Sequence, residues 1–180
     1  MKSYDYDRRD QVRELTWDDF ATFSKYLAER LAPENVDIII GIARAGLLPA
    51  TAVSCMLRKE MYPIRLTRRK DDVVVSERPI WKVTLPEIEL GGRIIAVVDE
   101  IADTGETLSM VAEGARERGA KRIITACLIS HTWAMPKPDI VILETDDLVL
   151  FPWSTRVYDK GEWRIHPEIE DPIRKLKRRT

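Results

Sequence analysis

Apolar residues along the chain fall into two rhythms. Short unbroken runs stand at 36–40 (VDIII), 93–98 (RIIAVV), 121–130 (KRIITACLIS) and 139–143 (DIVIL). Their length and β-branched content are those of strands covered on both faces, the habit of a parallel sheet. A further strand is predicted over MYPIRLT, 61–67. Between these runs the spacing turns helical. In TWDDFATFSKYLAERLAP, 16–33, Phe20, Phe23, Leu27 and Leu31 share a face, Thr16 stands as a cap, and Asp18 and Asp19 sit in the first turn. GLLPATAVSCMLRKE, 46–60, reads as a second helix. GETLSMVAEGARERGA, 105–120, reads as a third, with Leu108, Val111, Ala112 and Ala115 on one face and Gly119 as its stop. Strands alternating with helices predict an α/β fold, a mainly parallel central sheet flanked by helices.

Three segments break the rhythm. Residues 1–15 are charged and read as a loose lead-in. Residues 68–82, RRKDDVVVSERPIWK, carry only a weak β pattern and read as a mobile excursion. After residue 144 the chain becomes rich in Trp, Pro and acidic residues (ETDDLVLFPWSTRVYDKGEWRIHPE), which predicts a small irregular or antiparallel hood over about 144–170. The core then runs from about 16 to 143, and residues 1–180 form a single domain.

Composition narrows the function classes. Lys plus Arg is 29 and Asp plus Glu 30, a net charge of −1, so no global basic field points to nucleic acid. The terminal IRKLKRRT reads as a solvated basic end. Cys55 and Cys127 lie far apart in apolar surroundings, form neither a metal-spaced cluster nor a disulfide framework, and read as small buried hydrophobes. The opening MKSYDYDRRD is no secretory signal, and the apolar runs fall short of the ~20 residues that span a bilayer, so a cytoplasmic protein without a membrane partner is expected.

The candidate chemistry lies in VVDEIADTGETL, 97–108. In open α/β sheets ligands bind at the carboxyl ends of strands. The run 93–98 delivers Asp99 and Glu100 to that edge, and a helix begins within or just after Asp103–Thr107. The free N–H groups of a helix start suit an oxyanion, and Gly105 lets one approach the backbone. Two adjacent carboxylates instead suit hydroxyl groups or a hard cation. A phosphorylated sugar satisfies both halves. An acidic exposed loop with an ordinary cap at Asp103 or Thr104 accounts for the composition alone.

The ordered stretch closely resembles the binding signature for phosphoribosyl pyrophosphate (PRPP) of type I phosphoribosyltransferases, most similar to those acting on purines. The resemblance covers about residues 36–155. It implies that Asp99 and Glu100 hold the ribose 2- and 3-hydroxyls, and that Asp103, Thr104, Gly105, Glu106 and Thr107 wrap the 5-phosphate. It also implies that Asp103 is the general base near the purine N7. Glu106 fills a variable slot, where its backbone N–H matters more than its carboxylate. GIARAGLLPA, 41–50, looks like the family's pyrophosphate loop, built from Ala43, Arg44 and Ala45, with a cis Ala43–Arg44 peptide. Ala45 stands where the family often has the first of two glycines. Residues 68–82 match the family's closing loop in position, with Arg65, Thr67, Arg68 and Arg69 as further pyrophosphate contacts.

KPDIVILETDDLVLFPW, 137–153, looks like the base-binding region of 6-oxopurine enzymes. There Lys137 matches a donor to the 6-oxo group, for which a lysine, having donors only, is better suited than for an adenine amino group. Leu148, with Val149 beside it, falls where the family stacks an aromatic ring, which Phe151, Trp153 or Trp163 would otherwise supply. The resemblance implies Mg2+ as cofactor, met by Asp99 and Glu100 indirectly through ribose hydroxyls or water. It implies PRPP and a purine base as substrates, and a nucleoside monophosphate and pyrophosphate as products. A homo-oligomer, dimer or tetramer, is expected. The expected activity is phosphoribosyl transfer to guanine, xanthine or hypoxanthine in purine salvage. The alternatives are adenine, orotate or uracil as acceptor, or a non-catalytic PRPP sensor that binds nucleic acid. Arg44, which a pure sensor needs less, favours the enzyme.

Overall fold

The computed structural model describes residues 9–70, 73–86, 90–176 and 178. They divide into two compact units, one of residues 22–145 and the other of the preceding residues together with 146 onward.

The larger unit is built on a six-stranded sheet. Its strands are β2 (Ile38–Ile42), β3 (Glu60–Thr67), β6 (Ile80–Val83), β7 (Ile94–Ala102), β8 (Arg122–Ser130) and β9 (Ile140–Glu144), in the order β6-β3-β2-β7-β8-β9. All neighbours pair in parallel except β6, which runs antiparallel to β3 at the edge. Helix α2 (Leu47–Leu57) links β2 to β3, and α3 (Glu106–Glu117) links β7 to β8. Every residue of β2 is buried, as its apolar run predicts. One face of the sheet, with Ile38, Ile40, Ile42, Ile64 and Val97, packs against Leu108, Val111 and Ala115 of α3. The other face takes α2: a Cβ placed on Gly41 would stand 2.7 Å from that of Ala50. The helices therefore cover both faces, which leaves the carboxyl edge of the strands to the loops.

Among the described residues, 68–82 carry more strand than the weak β pattern of their sequence predicts. A hairpin of β4 (Arg69–Lys70) and β5 (Val73–Val74) forms there, and β6 then returns to pair with β3. Residues 71 and 72 lie outside the described residues.

In the second unit, β1 (Val12–Glu14) pairs in parallel with β10 (Leu148–Leu150), so part of the expected lead-in is a strand. Residues 1–8 of that lead-in lie outside the described residues. A hairpin of β11 (Arg156–Asp159) and β12 (Glu162–Ile165) follows, and then α4 (Pro167–Leu176). Leu148, Leu150 and Leu176 form its core with Val12, Ile169 and Ile173. The start of the basic tail is thus the last turn of a helix, because Ile173 and Leu176 fall on its apolar face. The Trp153 ring stacks on Phe151 at 4.7 Å and meets Phe20 edge-on at 5.3 Å.

The unit boundary falls inside α1 (Trp17–Leu31). Its start is a reciprocal cap: the Asp19 N–H donates to Thr16 Oγ1 at 3.1 Å, and the Thr16 N–H donates to the Asp19 carboxylate at 2.8 Å. One cysteine corrects the sequence reading. Cys127 is buried in β8, but Cys55 is exposed on α2. That helix is apolar around most of its circumference, so its neighbours in sequence do not reveal its outer face.

Candidate active site

Two loops leave the carboxyl ends of β2 and β7, which are adjacent strands with Gly41 opposite Val98. The first is Ala43–Gly46. The Ala43 N–H donates to the Ile64 carbonyl at 2.7 Å, the Ala43–Arg44 peptide is cis as the resemblance implies, and the Leu47 N–H donates to the Arg44 carbonyl at 3.2 Å as α2 begins. The second loop is longer in strand than the sequence predicts. β7 does not end at Val98 but carries Asp99 and Glu100 within it, because β8 continues to supply partners: Asp99 opposite Cys127 and Ala102 opposite Ser130.

Gly46 joins the two loops. A Cβ there would lie 2.4 Å from Asp99 Oδ1, 2.6 Å from the Ile42 carbonyl and 2.9 Å from Asp99 Cα. Only a glycine lets the first loop lie against the acidic residue of the second. The Asp99 carboxylate accepts a hydrogen bond from the Glu100 N–H at 2.9 Å. Burial, and then the neighbouring Glu100 charge, push its carboxyl well above the usual range. A ligand that brings hydroxyl donors or a cation would relieve both effects.

Past Ala102 the chain turns through Asp103 and Thr104 to Gly105, which takes the N-cap position of α3 at φ +80° with no side-chain cap. The Glu106 N–H makes only a long contact to Thr104 Oγ1 at 3.4 Å, and a helix start of this kind suits an anion. Gly105 is required twice: by its positive φ, and because a Cβ would stand 2.3 Å from the Pro136 carbonyl. The segment that follows β8 backs this turn, with the Met135 N–H donating to the Thr104 carbonyl at 2.9 Å and the Met135–Pro136 peptide cis. Asp103 faces His131 across 3.9 Å, from its Oδ1 to Nε2. Glu106 accepts from Arg78 Nε at 2.9 Å, so the segment between β3 and β7 touches the first residue of α3 directly.

Among the remaining expected residues, Arg65 is exposed while Thr67, Arg68 and Arg69 are half-buried. Lys137 pairs with Glu144 and lines a cavity of about 230 Å3 with Ser109, Arg116, Thr125 and Asp139. Leu148 is buried in the core of the second unit, and Val149 is half-buried. Gly46, Arg78 and His131 escape the sequence reading. His131 alone leaves a local sign, a histidine directly after a long apolar strand run.

Among the described residues no group of three or more His, Cys, Asp or Glu side chains gathers to hold a metal ion. The donors present, Asp99 and Glu100, are hard carboxylates. They suit a magnesium ion that draws most of its ligands from a phosphorylated substrate.

The sheet order, the acidic strand end and the glycine-opened helix define a type I phosphoribosyltransferase fold. The profile of the phosphoribosyl transferase domain matches residues 14–160, and the chain belongs to that family. It is a pentosyltransferase. The xanthine-guanine phosphoribosyltransferase of Cereibacter sphaeroides is 28% identical over 149 residues, 78% of this chain and 85% of that protein. The adenine phosphoribosyltransferase of Petrotoga mobilis is 26% identical over 69% of this chain and 76% of that protein. Among solved structures, the purine phosphoribosyltransferase of Pyrococcus horikoshii superposes with a TM-score of 0.73 at 31% identity, over 84% of this chain and 99% of that one. No helix among the described residues is long and apolar enough to cross a membrane.

Proposed function

We propose that the enzyme transfers the 5-phosphoribosyl group of PRPP to a purine base in purine salvage. The acceptor is a 6-oxopurine: guanine, xanthine or hypoxanthine. The products are the nucleoside monophosphate and pyrophosphate. The observation that carries the reading is the seating of Gly46 on Asp99, so close that a Cβ on Gly46 would fall 2.4 Å from the carboxylate. It makes one cradle of the Arg44 loop and the Asp99–Thr107 turn, as a substrate with a pyrophosphate at one end of a ribose and a phosphate at the other requires.

In this reading the N–H groups that open α3, with the Thr104 and Thr107 hydroxyls, take the 5-phosphate. Asp99 and Glu100 take the ribose hydroxyls, and Ala43, Arg44 and Ala45 form the pyrophosphate loop. Fixing both ends of the ribose supplies the positioning share of catalysis. The bond from the anomeric carbon to pyrophosphate breaks with its electron pair going to the leaving group. The guanidinium of Arg44 stabilises the charge that develops there. The purine nitrogen attacks from the opposite face, and Asp103 accepts the ring proton that must leave. Asp99 and Glu100 would meet a magnesium ion indirectly, through ribose hydroxyls or water, and that ion would supply Lewis-acid stabilisation of the same leaving group. The Arg78–Glu106 pair ties the segment that carries Arg78 to the start of α3, from where that segment can exclude water from a donor prone to hydrolysis.

Support for an oxopurine comes from Lys137, a donor-only side chain, and from relatives named for xanthine and guanine. A panel of guanine, xanthine, hypoxanthine, adenine, orotate and uracil, each with saturating PRPP and magnesium, tests the reading. It expects kcat/KM for at least one 6-oxopurine at least about a hundredfold above that for adenine, since a site built for one hydrogen-bond pattern can reject a mismatched one by about 10^4 or more. Preference for adenine or a pyrimidine would reassign the acceptor, and turnover with none of the six would remove the activity.

A further inference from the structure

His131 closes β8 at the carboxyl edge of the sheet, and its surroundings define its chemistry. Its side chain is 1% exposed. Its backbone is held on both sides: its N–H donates to the Ala102 carbonyl at 3.2 Å, and its own carbonyl accepts from the Ala134 N–H at 3.1 Å. The ring stacks on Trp133, centroids 4.7 Å apart and planes within 17°. Nδ1 stands 2.6 Å from the Thr145 carbonyl. A carbonyl oxygen only accepts, so Nδ1 carries the proton and donates it. That bond fixes the tautomer and leaves Nε2 pointing at Asp103, 3.9 Å from Oδ1. Asp103 is itself 21% exposed, so it stands between the buried imidazole and the open site.

We propose that His131 is the positioning partner of Asp103: it takes over the proton that Asp103 collects from the acceptor base. The proposal rests on the reading of Asp103 as the general base. The N–H bond of the attacking purine breaks and an O–H bond forms on Asp103. The Asp103 O–H bond then breaks and an N–H bond forms at Nε2. The carboxylate is regenerated opposite an imidazolium, so the pair rises by one unit of charge with no other reactant. The new cation keeps two stabilising neighbours, the Asp103 carboxylate and the Thr145 carbonyl. At 3.9 Å the pair stands just beyond hydrogen-bond reach, a looseness common in catalytic contacts before substrate binds. The groups facing the ring include the Asp103 carboxylate, the Thr145 carbonyl and the Trp133 indole.

The arrangement also defines what Asp103 gains. A carboxylate that keeps the proton it has taken must shed it to solvent while product still covers it. A carboxylate backed by an imidazole whose Nε2 takes up that proton is reset within the site.

Two variants separate this role from a structural one. His131→Asn keeps an N–H near the Nδ1 position for the Thr145 carbonyl and removes Nε2; His131→Gln keeps a polar group near Nε2. The proposal expects His131→Asn to lower kcat about tenfold with KM for PRPP unchanged, and His131→Gln, which cannot take up a proton, to lower it as much. In an Asp103→Asn background the His131→Asn change should cost no further activity, because effects of residues acting as a unit do not add. An equal loss in both backgrounds, or wild-type kcat in His131→Asn, overturns the proposal. Nitrogen-15 NMR of the ligand-free wild-type protein gives a readout apart from activity and apart from whether the variants fold. It should show His131 protonated at Nδ1, with the Nε2 resonance displaced by Asp103→Asn. A proton on Nε2 alone, or no response to Asp103→Asn, overturns it as well. Absence of turnover in the wild-type enzyme would instead strike the proposed function, and the NMR result would still decide the pairing.

Discussion

Arg78 Nε donates to Glu106 Oε1 at 2.9 Å, and this ion pair ties the segment between β3 and β7 to the first residue of α3, the helix proposed to take the 5-phosphate. The resemblance assigns Glu106 a variable slot in which its backbone matters more than its carboxylate. The pair gives the carboxylate a second task, holding the segment that carries Arg78 close to α3. Exposed pairs of this kind contribute about 0.2–1 kcal/mol and weaken with salt. Arg78→Ala and Glu106→Ala should therefore leave the thermal midpoint nearly unchanged and lower kcat/KM for PRPP only a few-fold. The double variant should lose no more than either single one. Steady-state kinetics at two salt concentrations checks this, and the deficit should shrink at high salt, where the wild-type pair is already weakened.

Gly46→Ala should be far more damaging. The atoms a Cβ would strike, Asp99 Oδ1 and Cα and the Ile42 carbonyl, are anchored in adjacent strands and cannot swing aside. Relief requires one loop to shift, at about 1–3 kcal/mol, the usual cost of overpacking. The shift would separate Arg44 from Asp99. Activity should fall more than a hundredfold. Gly92→Ala is the control: Gly92 has φ +72° with nothing within 4 Å, so the change strains the local backbone by about 1–2 kcal/mol and spares turnover.

Asp99 makes stability and function pull apart. Its folded carboxyl is raised by burial, with Glu100 adding to the effect, while in the unfolded chain it ionises near the ordinary ~3.9. Above that pH the folded state binds the extra proton, so stability falls as pH rises towards the raised folded value and is level beyond it. Asp99→Asn removes this slope and keeps an oxygen for the Glu100 N–H. Thermal melts of the ligand-free protein from pH 4 to 8 should show the variant equal or superior to wild type at neutral pH. Its PRPP-dependent turnover should fall at least a hundredfold.

The two thiols should differ sharply in reactivity. Cys55 is exposed, whereas Cys127 is buried and its thiol is pushed up by desolvation and by the neighbouring Asp99 charge, which disfavours the reactive thiolate. An aromatic disulfide reagent should titrate one thiol per native chain without loss of activity and the second only in denaturant. Saturating PRPP should leave the native count unchanged.

The sheet and the glycine-opened start of α3 are legible in the sequence because each rests on local signals. Unbroken apolar runs with helical spacing between them dictate a parallel α/β core, and Asp103 to Thr107 follows a strand end at the spacing a helix start needs. What the sequence hides is contact between distant segments. Gly46 looks like an ordinary helix-entry glycine until Asp99, 53 residues on, is seen beside it. β7 reads as ending at Val98 because two charges follow, yet pairing with β8 carries it to Ala102. Leu148 matches a stacking position by its distance from Trp153, a spacing that carries no information about the core of Leu150 and Leu176 around it. The weak pattern of 68–82 conceals a hairpin, since two-residue strands are too short to establish a period.

Phosphorus-31 NMR of one reaction tests the central claim most directly. The purified enzyme is mixed with PRPP, magnesium and a 6-oxopurine, with parallel samples lacking the base or carrying Asp99→Asn. The account predicts that the pyrophosphoryl resonances of PRPP give way to free pyrophosphate and a new nucleoside monophosphate signal in equal amounts, only in the complete wild-type sample. PRPP left intact beside every base tried, or equal conversion by Asp99→Asn, would contradict it.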